Sequence, residues 1–250
     1  LMLADLINYW LTGHVYSEYT AASTSHMLNA RTKQWAVPLI EAMGISPSLF
    51  PEIIEPGRVI GTLHGAVSEE TGLNPIPVVA TAAHDSAAAV ASVPATAGDF
   101  AFLILGTWGL LGAEKRQPIL TEKVAHFDFT NKGGVFGNIL LHYTGLGLWL
   151  VQECRRAWAL EGKDYTWPEL IRMSEQARPF TAYIDNDAPQ FLLPPHMPRQ
   201  VQETCRETGQ PVPLSNGAVV RVILESLAFK YCYVLDRLAD ILGQRPQVLH

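Results

Sequence analysis

A histidine–aspartate pair, His84-Asp85, ends an apolar run at residues 78–82 and is followed by Ala87, Ala88 and Ala89. A carboxylate has little apolar reason to stand there, and two uses fit it. Asp85 can cap the helix that the alanines begin, where the helix dipole favours negative charge. It can also serve as a general base, accepting the proton of a substrate hydroxyl as that oxygen attacks phosphorus. His84 can donate to a substrate oxygen, orient Asp85, or be a satisfied histidine at a strand end. A second apolar run, residues 100–105, ends on Gly106-Thr107. Such a turn lets backbone N–H groups and a hydroxyl converge on a phosphate, and an ordinary β-turn is the alternative. Gln152 falls one turn after Trp149 on an amphipathic segment, where a solvated face is the usual place for it.

The elements that must position these groups follow from the pattern. Residues 78–82 read as a buried strand running into the pair, and residues 87–93 as a small-residue helix. A Pro-led break at 94–98 is the candidate hinge between two domains, 1–94 and 95–250. Strands at 100–105, 110–114 and 135–141 form an antiparallel meander, with the sequence TNKGG (130–134) as a loop before the last. An amphipathic helix covers 145–160. A further helix over 167–177 has Thr166 as its cap, Pro168 in the first turn and Glu169 three residues after the cap, the arrangement of a capping box. Residues 179–205 read as irregular, and 218–242 as a long final helix closed by Gly243. Upstream, helices are expected over 3–11, stopping at Gly13, and over 34–43, ended by Gly44. The small, polar stretch 18–28 suits close packing, with its Ser and Thr hydroxyls bonded locally.

Composition bounds the function. Of 250 residues 48% are hydrophobic and 17% charged, so a substantial core is expected and disorder is not. The net charge of −6, with no Lys/Arg stripe, argues against a nucleic-acid partner. Three widely spaced cysteines, Cys154, Cys205 and Cys232, suit reduced thiols in the cytoplasm. No apolar run has membrane-spanning length, and no Walker loop, G-x-S-x-G or metal-ligand spacing occurs. Any metal would be Mg2+ carried mainly by nucleotide phosphates. The sequence opens in mid-helix without a start Met and stops on what reads as an opening strand, so a piece of a longer protein is expected.

Seven stretches together resemble the FGGY carbohydrate kinases, and within them the rhamnulokinase branch. They are LADLINYWLTG (3–13), AAHDSAAAVASVPA (82–95), LGTWGLLGAE (105–114), FTNKGG (129–134), GLWLVQECRRAW (147–158), CRETGQPVP (205–213) and ESLAFKY (225–231). The resemblance implies an α/β fold of two actin-like, ribonuclease-H-like domains, with sugar and ATP in the cleft between them. It implies transfer of the ATP γ-phosphate to a primary hydroxyl of a ketose, L-rhamnulose by preference, by a monomer or homodimer. Asp85 would accept the proton, His84 and Ser86 would contact the sugar, Thr107 in the Gly106-Thr107 turn would meet ATP phosphate, and Gln152 would lie near the nucleotide. Thr144 stands where that branch has a sugar-binding Asn. One hydroxyl there replaces an amide's two donors and acceptor, which keeps L-fuculose, L-ribulose and D-xylulose in play. Gly109 and Lys132 stand where the family more often has Ser and Glu. The family's D-x-G-T phosphate loop and Gly-rich adenine motif belong upstream of Leu1 and beyond His250, so the chain by itself is expected to phosphorylate poorly or not at all. A non-catalytic sugar-binding member of the same superfamily, and a structural fragment in which Asp85 only caps a helix, are the competing readings.

Overall fold

The computed structural model describes residues 2–95 and 100–250. The chain is mixed helix and sheet and divides into two compact units. One comprises Leu1–Phe102, Gly112–His142 and Gln247–His250, the other Leu103–Leu111 and Tyr143–Pro246. The expected hinge at 94–98 falls partly outside the described residues.

In the first unit, α1 (Leu3–Thr12) ends at Gly13, whose φ of 75° closes the helix in the left-handed region that glycine enters without strain. The chain then forms β1 (Ser17–Glu18) and runs directly into α2 (Tyr19–Ala22). Residues expected to be helical from 34 instead open as a hairpin, β2 (Leu28–Asn29) against β3 (Gln34–Trp35), and only α3 (Val37–Ala42) is helix. The hairpin takes the first residues because Pro38 belongs in the first turn of a helix and not in its interior. Next, β4 (Ile53–Ile54) pairs in parallel with β1. Then β5 (Val59–Thr62), α4 (Gly65–Thr71) and β6 (Pro77–Val79) lead to α5 (Asp85–Ala91).

The strand expected at 78–82 is shorter and more open than the apolar run suggests. It pairs antiparallel with β5 in a two-stranded sheet, Val79 is 46% exposed, and Ala80 is the residue it buries fully. A continuous apolar run reads as a doubly covered strand. Here one neighbouring strand and one packed face leave its alternate residues open.

A five-stranded sheet follows the order β11-β7-β8-β10-β9. Its members are β7 (Phe100–Leu105), β8 (Trp108–Lys115), β9 (Phe129–Gly133), β10 (Ile139–Leu146) and β11 (Val248–Leu249), the last parallel to β7. The two-residue Gly106-Thr107 link requires β7 and β8 to be antiparallel. Gly109 to Ala113 of β8 and Ile139 to His142 of β10 are buried without alternation, as expected of strands covered on both faces. The TNKGG stretch is thus mostly strand, not loop. Its Gly-rich end is the turn, and Asn131, a turn former by type, is used to bond both the N–H and the C=O of Ile119. Between β8 and β9 lies the short α6 (Glu122–His126).

The second unit gathers four helices: α7 (Trp149–Leu160), α8 (Trp167–Gln176), α9 (Met197–Glu207) and α10 (Asn216–Leu242). The capping box of α8 forms as its spacing requires, with Thr166 Oγ1 accepting from Glu169 N and the Glu169 carboxylate accepting from Thr166 N. Helix α7 begins four residues later than expected because β10 runs on to Leu146. Helix α9 begins inside the stretch expected to be irregular and runs two residues past it; Pro198 occupies its first turn, where no N–H is needed. Helices α8 and α10 pack on each other, and they approach closely at Gly217, where an added Cβ would lie 2.2 Å from the Met173 carbonyl oxygen.

That approach makes a testable prediction. Gly217→Ala gains a little helix propensity but drives a methyl into backbone, and overpacking costs about 1–3 kcal/mol. Urea unfolding should show a net loss of stability; an unchanged or raised midpoint would contradict the packing described.

Candidate functional site

The first group of candidate residues is built on a buried carboxylate that the sequence reading passed over. Glu18 is 0% exposed. Its Oε1 accepts from Thr20 N at 2.9 Å, and its Oε2 accepts from Thr20 Oγ1 at 2.5 Å and Ala21 N at 3.1 Å, so it caps α2. The same Oε2 accepts from Ala83 N at 3.0 Å, and Thr20 Oγ1 accepts from His84 N at 3.1 Å. Two successive amides ahead of α5 are thereby fixed by α2, which stands more than sixty residues away in sequence. A buried charge is tolerated when donors surround it, and these four donors satisfy the carboxylate.

This anchoring sets the start of α5. His84 is the N-cap residue with extended backbone, and Asp85 is the first helical residue. The capping alternative therefore takes a particular form: Asp85 Oδ1 accepts from Ser86 N at 2.6 Å and from Ser86 Oγ at 3.3 Å. The second carboxylate oxygen makes no hydrogen bond among the described residues, and the residue is exposed. Ser86 is buried, with its hydroxyl turned toward Asp85. Burial, and next the charge of Lys132, push the His84 pKa below its ordinary value, against the pull of Asp85 and Glu18. His84 is accordingly neutral near pH 7, offering one ring donor and one acceptor.

The second group lies at the β7–β8 turn. Gly106 and Thr107 are exposed, and their carbonyls accept from the start of α7: Leu148 N bonds Gly106 O at 2.8 Å, and Gly147 N bonds Thr107 O at 2.9 Å. Close approach dictates the residue at 147, since a Cβ there would lie 2.5 Å from Gly106 O. Thr107 Oγ1 donates to Gln152 Oε1 at 3.1 Å, so two residues singled out separately in the sequence are joined. Gln152 is half-buried, and not on a fully solvated face. The arrangement leaves a rigid turn in which the Thr107 proton is engaged by Gln152 and the Gln152 NH2 can donate to an anion.

Thr144 is exposed on β10, two residues from the strand end. Its position is fixed by Asp187, also missed in the sequence: Tyr143 Oη donates to Asp187 Oδ2, and Leu146 N to Asp187 Oδ1 at 2.6 Å. Lys230 completes the group, bonding Asp185 at 2.9 Å and Asp187 at 3.0 Å. Burial works against the Lys230 charge, but the bonds to Asp185 and Asp187 outweigh it and raise the pKa well above normal. Burial and Asp187 together hold the Tyr143 phenol firmly protonated. Neither carboxylate has a local sequence signature; only the pairing of D-x-D with a distant Lys and Tyr defines the group.

Among the described residues no helix is long and apolar enough to cross a membrane, and no group of three or more His, Cys, Asp or Glu could hold a metal ion.

Comparison with known proteins identifies the family. The N-terminal domain signature of the FGGY family of carbohydrate kinases matches residues 1–91, and the C-terminal domain signature matches residues 101–250. A rhamnulokinase of Bacteroides thetaiotaomicron is 41% identical over 250 residues, all of this chain and 51% of that protein. One from Enterococcus faecalis is 35% identical over 243 residues, 97% of this chain and 49% of that protein. The chain thus spans about half the length of the curated relatives it matches. Among solved structures, xylulose kinase from Lactobacillus acidophilus aligns with a TM-score of 0.65 at 17% identity, covering 98% of this chain and 49% of that one. Plasmodium falciparum glycerol kinase with ADP aligns at 0.68 and 16% identity, covering 98% and 48%. At such identities these two speak for the fold alone. With both domain signatures matched in order, the chain belongs to the FGGY family of carbohydrate kinases.

Proposed function

We propose that the complete protein is an ATP-dependent sugar kinase that phosphorylates a primary hydroxyl of a ketose, L-rhamnulose by preference, to the 1-phosphate. Residues 1–94 would belong to its sugar-binding domain and 95–250 to its ATP-binding domain. The observation that carries the reading is the exposed Asp85 carboxylate, held at the start of α5 by the Glu18–Thr20 anchor with one oxygen unengaged. The relatives named rhamnulokinase support it along the whole chain.

In this reading the unengaged Asp85 oxygen takes the proton as the sugar oxygen bonds the γ-phosphorus and the bond to ADP breaks. Neutral His84 meets a sugar oxygen through its ring, and Ser86 keeps the carboxylate in one rotamer. Gly106-Thr107 holds phosphate once the Thr107 hydroxyl turns its proton from Gln152 Oε1 to the anion, with the Gln152 NH2 donating beside it. Mg2+ would arrive on the nucleotide phosphates and neutralise their charge.

A second reading concerns the sugar and is favoured by Thr144. An exposed hydroxyl can satisfy one substrate group where an Asn amide would satisfy more, so a related ketose (L-fuculose, L-ribulose or D-xylulose) is the runner-up.

Two outcomes are expected of the complete protein. Asp85→Asn should lower turnover by about 10²–10⁴-fold. Its sugar affinity in calorimetry should stay within about threefold of wild type, because the amide keeps the shape and loses only the base. Near-wild-type turnover would refute the role. Thr144→Asn should shift a four-ketose turnover screen toward L-rhamnulose by about tenfold or more, since a matched hydrogen-bonding group discriminates strongly. An unchanged ranking would remove Thr144 from the sugar site.

A further inference from the structure

The backbone amide of Glu18 is a buried donor that the β1–β4 pairing leaves over, and an aspartate on α1 takes it. Strand β1 has one neighbour, β4, and Ser17 N bonds there, to Glu52 O at 2.9 Å. Successive N–H groups of a strand point to opposite edges, so Glu18 N faces away from β4. No strand lies on that side among the described residues, and a buried amide needs an acceptor. Asp5 supplies it: Glu18 N donates to Asp5 Oδ1 at 3.1 Å, across thirteen positions of chain.

Asp5 does this at a cost. It is 3% exposed, and its second oxygen, Oδ2, is buried with no hydrogen-bond partner among the described residues. Burial pushes its pKa up, the bond from Glu18 N pulls it back, and the charge of Glu18 pushes it up again. An unsatisfied buried oxygen calls for a reason, and the residue that Asp5 holds supplies one. Glu18 Oε2 accepts from Ala83 N at 3.0 Å, Thr20 Oγ1 accepts from His84 N at 3.1 Å, and Asp85 follows. The backbone at β1 is thus gripped on both edges, by β4 through Ser17 and by α1 through Asp5, before the Glu18 side chain reaches across to α5. Release of the α1 grip leaves β1 free to pivot about its pairing with β4, carrying the Glu18 carboxylate and the two amides it aligns.

We propose that Asp5 is a positioning residue for phosphoryl transfer: through the Glu18 amide it sets the reach of the Glu18 carboxylate, and so the placement of Asp85 against the substrate hydroxyl. The inference rests on the kinase reading of Asp85. Asp5 touches neither sugar nor phosphate, and it neither gives nor takes a proton in the step. A small misplacement of the base slows transfer without loosening the substrate.

The test uses the complete protein with Asp5→Asn, Asp5→Leu, Asp5→Ala and Thr12→Val, and with Asp85→Asn in parallel. Asp5→Asn keeps an oxygen for Glu18 N, so its turnover should stay within about threefold of wild type. Asp5→Leu and Asp5→Ala both delete the acceptor, one filling the space and one leaving it open. Each should lower turnover on the best ketose by about tenfold or more, with calorimetric sugar affinity within about threefold. Hydrogen exchange at the Ala83 and His84 amides should quicken by at least about tenfold in both, measured relative to amides of β10, so that a general loss of stability does not count. Thr12→Val is the control for a purely structural effect: it removes another buried polar group of α1, one that donates to Asn8 O at 2.7 Å, and it should lose stability in urea and keep turnover. Turnover and Ala83/His84 exchange within threefold of wild type in Asp5→Leu or Asp5→Ala would overturn the proposal. So would loss of the fold in both, failure of Asp5→Asn to keep turnover, or an equal loss of turnover in Thr12→Val. Failure of the kinase reading would appear separately, as turnover retained by Asp85→Asn.

Discussion

The geometry around Asp85 depends on one buried carboxylate. Glu18 has no exposure to water and lives on four donors, three from its own helix start and one from Ala83. Loss of one donor would leave a buried acceptor partly unsatisfied, which costs about 1–3 kcal/mol. The backbone ahead of α5 is therefore held to α2 by an obligation, not by a convenience. Asp85 inherits its place from that obligation.

Carboxylates do comparable work in the second unit. Asp187 receives a phenol, a strand-end amide and an ammonium, and so fixes the last residues of β10 where Thr144 stands. The Gly106-Thr107 turn is instead fixed by backbone, its carbonyls receiving amides from the start of α7. In each case the group offered to a ligand is exposed, while the groups that aim it are buried or half-buried. Preorganised donors and acceptors of this kind are what phosphoryl transfer asks of a protein, because little covalent chemistry is left for it to do.

What could be read in the sequence was local. Gly13 and Gly243 stop their helices, Thr166 and Glu169 cap theirs, and Asp85 and Thr107 stand where apolar strands give way to polar tips. Those features depend on residues within four positions of one another. The misreadings share the opposite property. TNKGG became strand because β10 was there to pair with it, and the run at 78–82 became a short open strand because one neighbour was there. Glu18 and Asp187 were invisible as site residues because the groups they tie together lie forty or more positions away. Thr107 and Gln152 were each weak alone; only the fold shows that they touch.

A crystal structure of the complete protein with its ketose and a non-hydrolysable ATP analogue tests the account most directly. It should show the sugar's primary hydroxyl within hydrogen-bond reach of the free Asp85 oxygen, about 2.6–3.2 Å, while Glu18 still accepts from Ala83 N. A hydroxyl paired with some other group, with Asp85 turned away from the sugar, would contradict it.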